Sequence, residues 1–529
     1  MTLHKTLRID HFLPILARLF ILYITVMSGR AYAGGFEIPD NGTEALGRGG
    51  AFVAKADDGE ALYYNVAGFA RQRGTRLTID SNFVIHDMAF TRDGVYSGDP
   101  SDARTPYAGT PYPTMRDSDR LFVAPNAVVS TDFGWFRRWT FAAGVYGPSS
   151  VGQHSYGSGD DLNAAGDIPP AQTTNGLPAP SRYDIARTNL LIVLPTLAVA
   201  FRAHRYIDVG FAWQMYYANF DLASANFTPL GKTNCPTPDY AGCDSYGHVR
   251  TSGTSFSSSS SQFGGSGFDY SPSITSFGWV FSALAHPTPF LDLGFILRTP
   301  INIHSEGTLH PQSPPNQVKL GDAPALFSTE IPLFLRLGGR YVKRYADGTE
   351  RADVELDFVF ENWATEVADH VHASGDSLIL QQGNTLDVDV THNYKNTYGV
   401  RLGGAYNYKL GERSRLIGRA GIYYDSAATD NKGTRLDINS FDKLGLTLGL
   451  GLKYRGVTLN VAYAYVYSPS RTVTDSEITA VSATNGTNYA PNDPRIIIGN
   501  GLYQPTLHIL SIGLTFNFSE LKAPHLMPN

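Results

Sequence analysis

The stretch Leu510-Ser-Ile512-Gly-Leu514-Thr-Phe516-Asn-Phe518 constrains this chain more than any other feature. Large apolar residues occupy every second position, and Ser, Gly, Thr and Asn fill the positions between. A strand sends successive side chains to opposite faces, so one face here is greasy and the other small and polar. The pattern recurs along the whole chain, with aromatics at strand ends. Leu444, Leu446, Leu448, Leu450 and Leu452 alternate with Gly445, Thr447, Gly449 and Gly451. Leu459, Val461, Tyr463, Tyr465 and Tyr467 do the same against Asn460, Ala462 and Ala464. This is the signature of a transmembrane β-barrel whose outer face meets lipid.

Past the N-terminus no run approaches the roughly 20 apolar residues of a membrane helix, so a spanning structure has to be a closed barrel. A mean hydropathy of −0.17 fits strands that are apolar on one face alone. The 53 Gly and 30 Tyr fit curved strands with aromatic girdles, and a net charge of −6 gives no nucleic-acid footprint. Lys5, Arg8 and Arg18 precede the apolar run 19–27, and Ala31-Tyr-Ala33 follows it. These are the parts of a signal peptide over 1–33, cleaved after Ala33; the alternative, a single membrane anchor, asks for a longer run. Cys235 and Cys243, in a polar segment, are expected to close a small loop disulfide in an oxidising compartment. The other reading, a metal pair, lacks a His or Cys cluster to complete it.

Fourteen strands are expected, near 76–90, 119–132, 137–147, 188–203, 205–221, 271–286, 288–303, 329–346, 349–363, 393–408, 414–427, 440–455, 456–469 and 504–518. Short joins alternate with long polar insertions (91–118, 148–187, 222–270, 304–328, 364–392, 428–439 and 470–503), as periplasmic turns alternate with extracellular loops. The antiparallel barrel thus covers 76–518, with a tail at 519–529. Asp353, Glu355 and Asp357 alternate with Val354, Leu356 and Phe358, so the carboxylates must face a wet lumen. Side chains from a fourteen-stranded wall cannot fill the interior, since eight strands already pack nearly solid. The Gly-rich segment 34–75 has its own composition and reads as a hatch, a plug inside the lumen; a periplasmic extension is the alternative.

Several motifs resemble a known family. Gly34-Gly-Phe36, Ala45-Leu-Gly47-Arg-Gly-Gly50-Ala, Lys55-Ala-Asp57-Asp58 and Tyr64-Asn65-Val-Ala67-Gly68-Phe are similar to the N-terminal hatch of FadL-type outer-membrane transporters. The likeness continues through Gly144-Val-Tyr-Gly147-Pro148, Leu194-Pro195, Phe277-Gly-Trp279, Leu293–Pro300, His304-Ser-Glu-Gly307 and Gly403-Gly404-Ala-Tyr406. The resemblance implies a monomeric fourteen-stranded barrel in the Gram-negative outer membrane, surrounded by lipid and lipopolysaccharide and inserted by the barrel assembly machinery. It implies passive transport of hydrophobic small molecules, long-chain fatty acids or aromatic hydrocarbons, without enzyme activity, cofactor, metal or nucleic acid. Substrate would leave sideways at a kink in the third strand, where Gly144, Gly147 and Pro148 suit a broken ladder. Two departures stand out: Asn65-Val66-Ala67 replaces the family's Asn-Pro-Ala, and the chain continues beyond Phe518, the strand-end aromatic.

The resemblance, in which the family's pocket lies next to the mature N-terminus, implies Gly35 and Phe36 as substrate contacts, while from the residues alone Phe36 either lines a pocket or seals hatch to wall. Phe52 and Phe69 either line the same pocket or seal hatch to wall, and Asn65, Ala67 and Gly68 form the hatch motif. Arg298, Arg336 and Arg401 face the lumen, where they would hold a substrate carboxylate or pair with Asp353, Glu355 and Asp357. A general diffusion porin for polar solutes and an outer-membrane lipase are the competing functions. The hatch argues against the porin, and no G-x-S-x-G elbow supports the lipase. His86-Asp87 and His304-Ser305-Glu306 are the nearest catalytic clusters, but neighbours on a strand point to opposite faces. The His residues show no metal spacing along the sequence.

Overall fold

The computed structural model describes residues 41–147, 153–156, 173, 176–227, 244–254, 277–313, 318–319, 322–365, 368–374, 385–436, 440–480 and 497–521. The barrel strands are β1 (Thr75–Arg92), β2 (Leu121–Thr131), β3 (Trp139–Tyr146), β4 (Arg187–His204), β5 (Ile207–Met215), β6 (Phe277–Thr288) and β7 (Leu291–Arg298). They continue as β8 (Phe334–Arg344), β9 (Glu350–Glu361), β10 (Thr397–Gly411), β11 (Ser414–Asp425), β12 (Lys443–Tyr454), β13 (Val457–Tyr467) and β14 (Gly501–Asn517). Each pairs antiparallel with the next, and β1 closes the ring on β14, from Arg76 against Asn517 to Arg92 against Gly501. A closed ring leaves no strand edge in lipid.

Side-chain parity sets the two faces. Leu444 to Leu452 at even positions are 40–66% exposed, while Ala462, Ala464 and Ser511 on neighbouring strands are buried inside. The exposed apolar band is the lipid-facing surface. The six joins at 132–138, 205–206, 289–290, 345–349, 412–413 and 455–456 all lie at one end of the barrel.

The long insertions hold more structure than expected. Tyr217–Phe227, Asp244–Thr254, Ile301–Ser313, Ala323–Ile331, Ala368–Ser374 and Thr385–Thr391 form a second antiparallel sheet, which continues from the upper half of β4 at the opposite end. The expected strand 288–303 therefore divides at Thr299-Pro300, and Pro332 separates the second sheet from β8. Proline removes a ladder donor, which accounts for both breaks. The insertions are polar on average, yet Ile301, Ile303, Ala323, Ala325 and Phe327 alternate inward and are buried.

Among the described residues the ladder between β2 and β3 stops at Ala127 against Val145. β2 pairs with β1 along its whole length; among the described residues it pairs with β3 from Ala127 against Val145 to Thr131 against Phe141. Pairing across this gap resumes, among the described residues, at Asp117 against Tyr156. On the other side of β3, Tyr146 stands against Leu194 and, in the next described stretch, Gln153 against Asn189, a change of register by two positions. Gly144, the first of the three expected kink residues, lies within the paired part of β3. It is paired with Val128 and Thr196, and a Cβ there would lie 2.7 Å from Leu62 Cδ2 of the hatch. Gly147 is the first position beyond the paired part of β3, and Pro148 lies outside the described residues.

Candidate functional site: the hatch and the lumen wall

Residues 41–73 fill the lumen. Their helices α1 (Thr43–Gly47) and α2 (Ala61–Tyr64) and the 3₁₀ turn Val66–Arg71 are too short to persist alone. The wall holds them. Nearly every residue of the segment is buried, including Phe52 and Phe69 at 0% exposure.

One side of the wall grips by charge. Arg48 donates to both oxygens of Asp353, at 3.0 and 2.6 Å, and to Glu355 at 3.3 Å. The backbone N–H groups of Phe52 and Val53 both donate to Asp357 Oδ2, at 3.0 and 3.1 Å, and that of Ala54 to Glu355 Oε1 at 2.7 Å. The alternating carboxylates of β9 thus take one turn of the hatch as a row of acceptors. Arg419 on β11 reaches Glu44 at 2.8 Å, and Thr43 donates to Asp80 of β1 at 3.0 Å. Within the hatch, Glu60 accepts the free N–H groups of Glu44 and Ala45 at the start of α1, at 2.7 and 2.8 Å. Burial, with Asp58 alongside, pushes the Glu60 carboxyl well above the usual carboxylate range.

The wall arginines are lumenal, as expected, and contact both hatch and wall. Arg401 pairs with Asp425, Arg298 donates to the Tyr63 carbonyl, and Arg336 donates to the Gly50 carbonyl at 3.4 Å. Asp353 is taken by Arg48 and by Arg340. The principal partner was missed because it lies some three hundred positions away in the hatch.

Backbone contact completes the seat. A Cβ on Gly403 would lie 1.9 Å from the Arg48 carbonyl oxygen, and one on Gly210 would lie 2.4 Å from Ala67 N. These wall glycines let the hatch backbone touch the sheet, a role distinct from strand curvature. The Asn65 motif works the same way: its Nδ2 donates to the carbonyls of Val53 at 2.7 Å and Ala283 at 3.1 Å, and its Oδ1 accepts from Ala67 N. Gly68 leaves room for the Ala56 carbonyl oxygen, 1.9 Å from where a Cβ would be.

The other side of the wall is apolar. One buried cluster joins Phe52, Leu62, Tyr63, Tyr64 and Phe69 of the hatch to Val128 and Tyr146, to Leu190, Ile192 and Leu194 of β4, and to Ile301, Ile303, Leu309 and Phe327 of the second sheet. Tyr63 meets Tyr146 edge-on at 5.2 Å, with the Arg298 guanidinium 4.0 Å above the Tyr63 ring. Tyr146 is the last paired residue of β3, so this apolar seam ends beside the interrupted ladder. Tyr63 and Tyr146 were not singled out in the sequence; Tyr146 lies inside a resembling motif and Tyr63 just ahead of one. Gly35, Phe36, Cys235 and Cys243 lie outside the described residues. The His304 Nδ1 lies 2.9 Å from Ser328 Oγ, and Asp87 pairs with Arg116 on the face opposite His86.

A family model described as "Outer membrane protein transport protein (OMPP1/FadL/TodX)" matches residues 172–492. The chain belongs to this family. It is therefore an outer-membrane transport protein, and its family is one of transporters and channels. Solved structures share the fold. A Pseudomonas aeruginosa FadL homologue superposes with a TM-score of 0.66 at 16% identity, over 92% of this chain and 100% of that one. The P. putida toluene transporter TodX gives 0.59 at 16% identity, over 91% and 99%. The Ralstonia pickettii toluene transporter TbuX gives 0.56 at 13% identity, over 91% and 99%. A search of the curated proteins finds no match.

Proposed function

We propose that this family member passes hydrophobic small molecules, long-chain fatty acids or aromatic hydrocarbons, across the outer membrane by passive diffusion, and releases them sideways into the bilayer. The observation that carries the reading is the continuous apolar seam from the second sheet along β4 to Tyr63 and Tyr146, ending where β2 and β3 part. An apolar solute moving along it stays in contact with apolar surface, whereas a polar solute would be stripped of water without compensation. The toluene transporters TodX and TbuX, which share this fold, agree with this substrate class.

In this reading residues 1–33 are the signal peptide, 34–75 the hatch, 76–518 the barrel and 519–529 a tail. Gly35, Phe36, Phe52 and Phe69 line the hatch-side pocket, and the gap beyond Gly144, at Gly147 and Pro148, is the exit. The protein acts as a monomer, with no catalysis and no cofactor, surrounded by lipid and lipopolysaccharide and inserted by the barrel assembly machinery. A water-filled porin fits less well, because the hatch occupies the lumen on charged anchors.

Replacing Gly147 and Pro148 with Val and Thr favours continuous pairing through the gap. Uptake of a hydrophobic substrate should fall while surface expression and heat-modifiable migration stay normal. Unchanged uptake in a folded, straightened variant would refute lateral release.

A further inference from the structure

We propose that His86, Asp117 and His154 form a binding site for a borderline divalent cation of the zinc type. Three separate stretches supply the groups: β1, the residue after the strand Thr114–Arg116, and the strand Gln153–Ser155. Each offers one ligand atom, and the three atoms lie within 4.8 Å of one another. His154 Nδ1 is 2.6 Å from Asp117 Oδ2, and His86 Nδ1 is 3.7 Å from the same oxygen. The imidazoles meet edge-on with centroids 5.0 Å apart.

Three details favour a cation over a simple His–Asp pair. His86 Nδ1 is buried with no hydrogen-bond partner although it points at the carboxylate, an arrangement that costs free energy unless something completes it. The Asp117 side chain is fully buried, and its other oxygen, Oδ1, accepts N–H groups from Ser155 at 2.9 Å and Asp119 at 3.1 Å. Those bonds fix the carboxylate with Oδ2 toward the two rings, as outer-shell bonds orient ligands in metal sites. Finally, two imidazole nitrogens and one carboxylate oxygen are a donor set that zinc accepts, leaving a fourth position for water. Tetrahedral zinc with bonds of about 2.0–2.1 Å places its ligand atoms roughly 3.4 Å apart. The observed Nδ1–Oδ2 spacings of 2.6 and 3.7 Å lie on either side of that value.

The site spans the upper margin of the interrupted ladder, where Asp117 and Ser118 meet Tyr156 and Ser155. A bound cation would tie β1 to the far lip of the gap. The inference does not depend on which molecules the barrel transports.

The test is equilibrium dialysis of the intact, tag-free barrel in detergent against micromolar zinc, followed by elemental analysis and X-ray absorption at the zinc edge. One zinc per chain is expected, with a first shell of two imidazoles and oxygen. His86→Gln is the decisive variant, because it removes a ligand and leaves the His154–Asp117 bond untouched. It should weaken zinc by at least the roughly 10–100-fold that losing even an outer-shell partner costs. Asp117→Asn should do the same, while His310→Ala, remote from the cluster, should bind as the parent does. Heat-modifiable migration checks folding of each variant. Failure of the parent to retain zinc, or full retention by a folded His86→Gln, would overturn the site.

Discussion

The two sides of the lumen hold the same hatch by opposite means. Toward β9 and β11 the contacts are ion pairs and charge-assisted hydrogen bonds from Arg48, Arg419 and the backbone of 52–54. Toward β3 and the Leu190–Leu194 part of β4 they are apolar and aromatic, through Leu62, Tyr63, Tyr146 and Leu194, while Arg202, further along β4, holds the Ala70 carbonyl. Directional bonds fix a position and fail abruptly, whereas apolar contact is non-directional and tolerates exchange of one greasy partner for another. The charged side is therefore the anchor, and the apolar side is where a hydrophobic solute can replace hatch contacts.

Variants on the two sides should separate closure from transport. The largest effect is expected from Arg48→Ala, which leaves Glu355 without its Arg48 contact, with the Ala54 N–H still donating to it, and weakens the hold on Asp353. Breaking a buried pair costs on the order of 3–5 kcal/mol, so the hatch should loosen and the barrel should conduct small ions in planar bilayers. A sealed Arg48→Ala barrel would break the comparison. Next is Gly403→Val, which drives a side chain into the Arg48 carbonyl and should cost about 1–3 kcal/mol by overpacking. A lowered unfolding temperature and a smaller leak are expected. On the apolar side, Ile192→Asn places an amide in the seam at about 1–3 kcal/mol. Hydrophobic uptake should drop with no ion leak, and a leak without an uptake defect would reverse the assignment. The smallest effect is expected from Cys235→Ser with Cys243→Ser, which should leave conductance and uptake unchanged. Thiol labelling of the unreduced, denatured parent should find no free cysteine if the two are bridged.

The barrel was legible because strand parity is local: Leu444 to Leu452 declare their face without reference to any other segment. The lumenal carboxylates on β9 were legible for the same reason. Their partner was not, since nothing local links Arg48 to Asp353, and the wall arginines nearby were the more obvious candidates. The second sheet was hidden by polar insertions whose alternation is carried by small residues such as Ala323 and Ala325. Gly403 and Gly210 read as curvature because the sequence does not reveal what presses on them. His86, Asp117 and His154 come together only once β1 and the strand beyond the gap are in place.

Lateral release is the central claim, and a reversible staple across the gap tests it most directly. Ladder register carried upward from Ala127 against Val145 sets Pro125 opposite Gly147. Pro125→Cys with Gly147→Cys, in a background with Ser at 235 and 243, allows the gap to be closed by oxidation and reopened by reductant. Uptake of a hydrophobic substrate should be lost on oxidation and restored on reduction, with the hatch sealed to ions throughout. Uptake that continues unchanged through the fully cross-linked barrel would contradict lateral release and favour passage straight through the lumen.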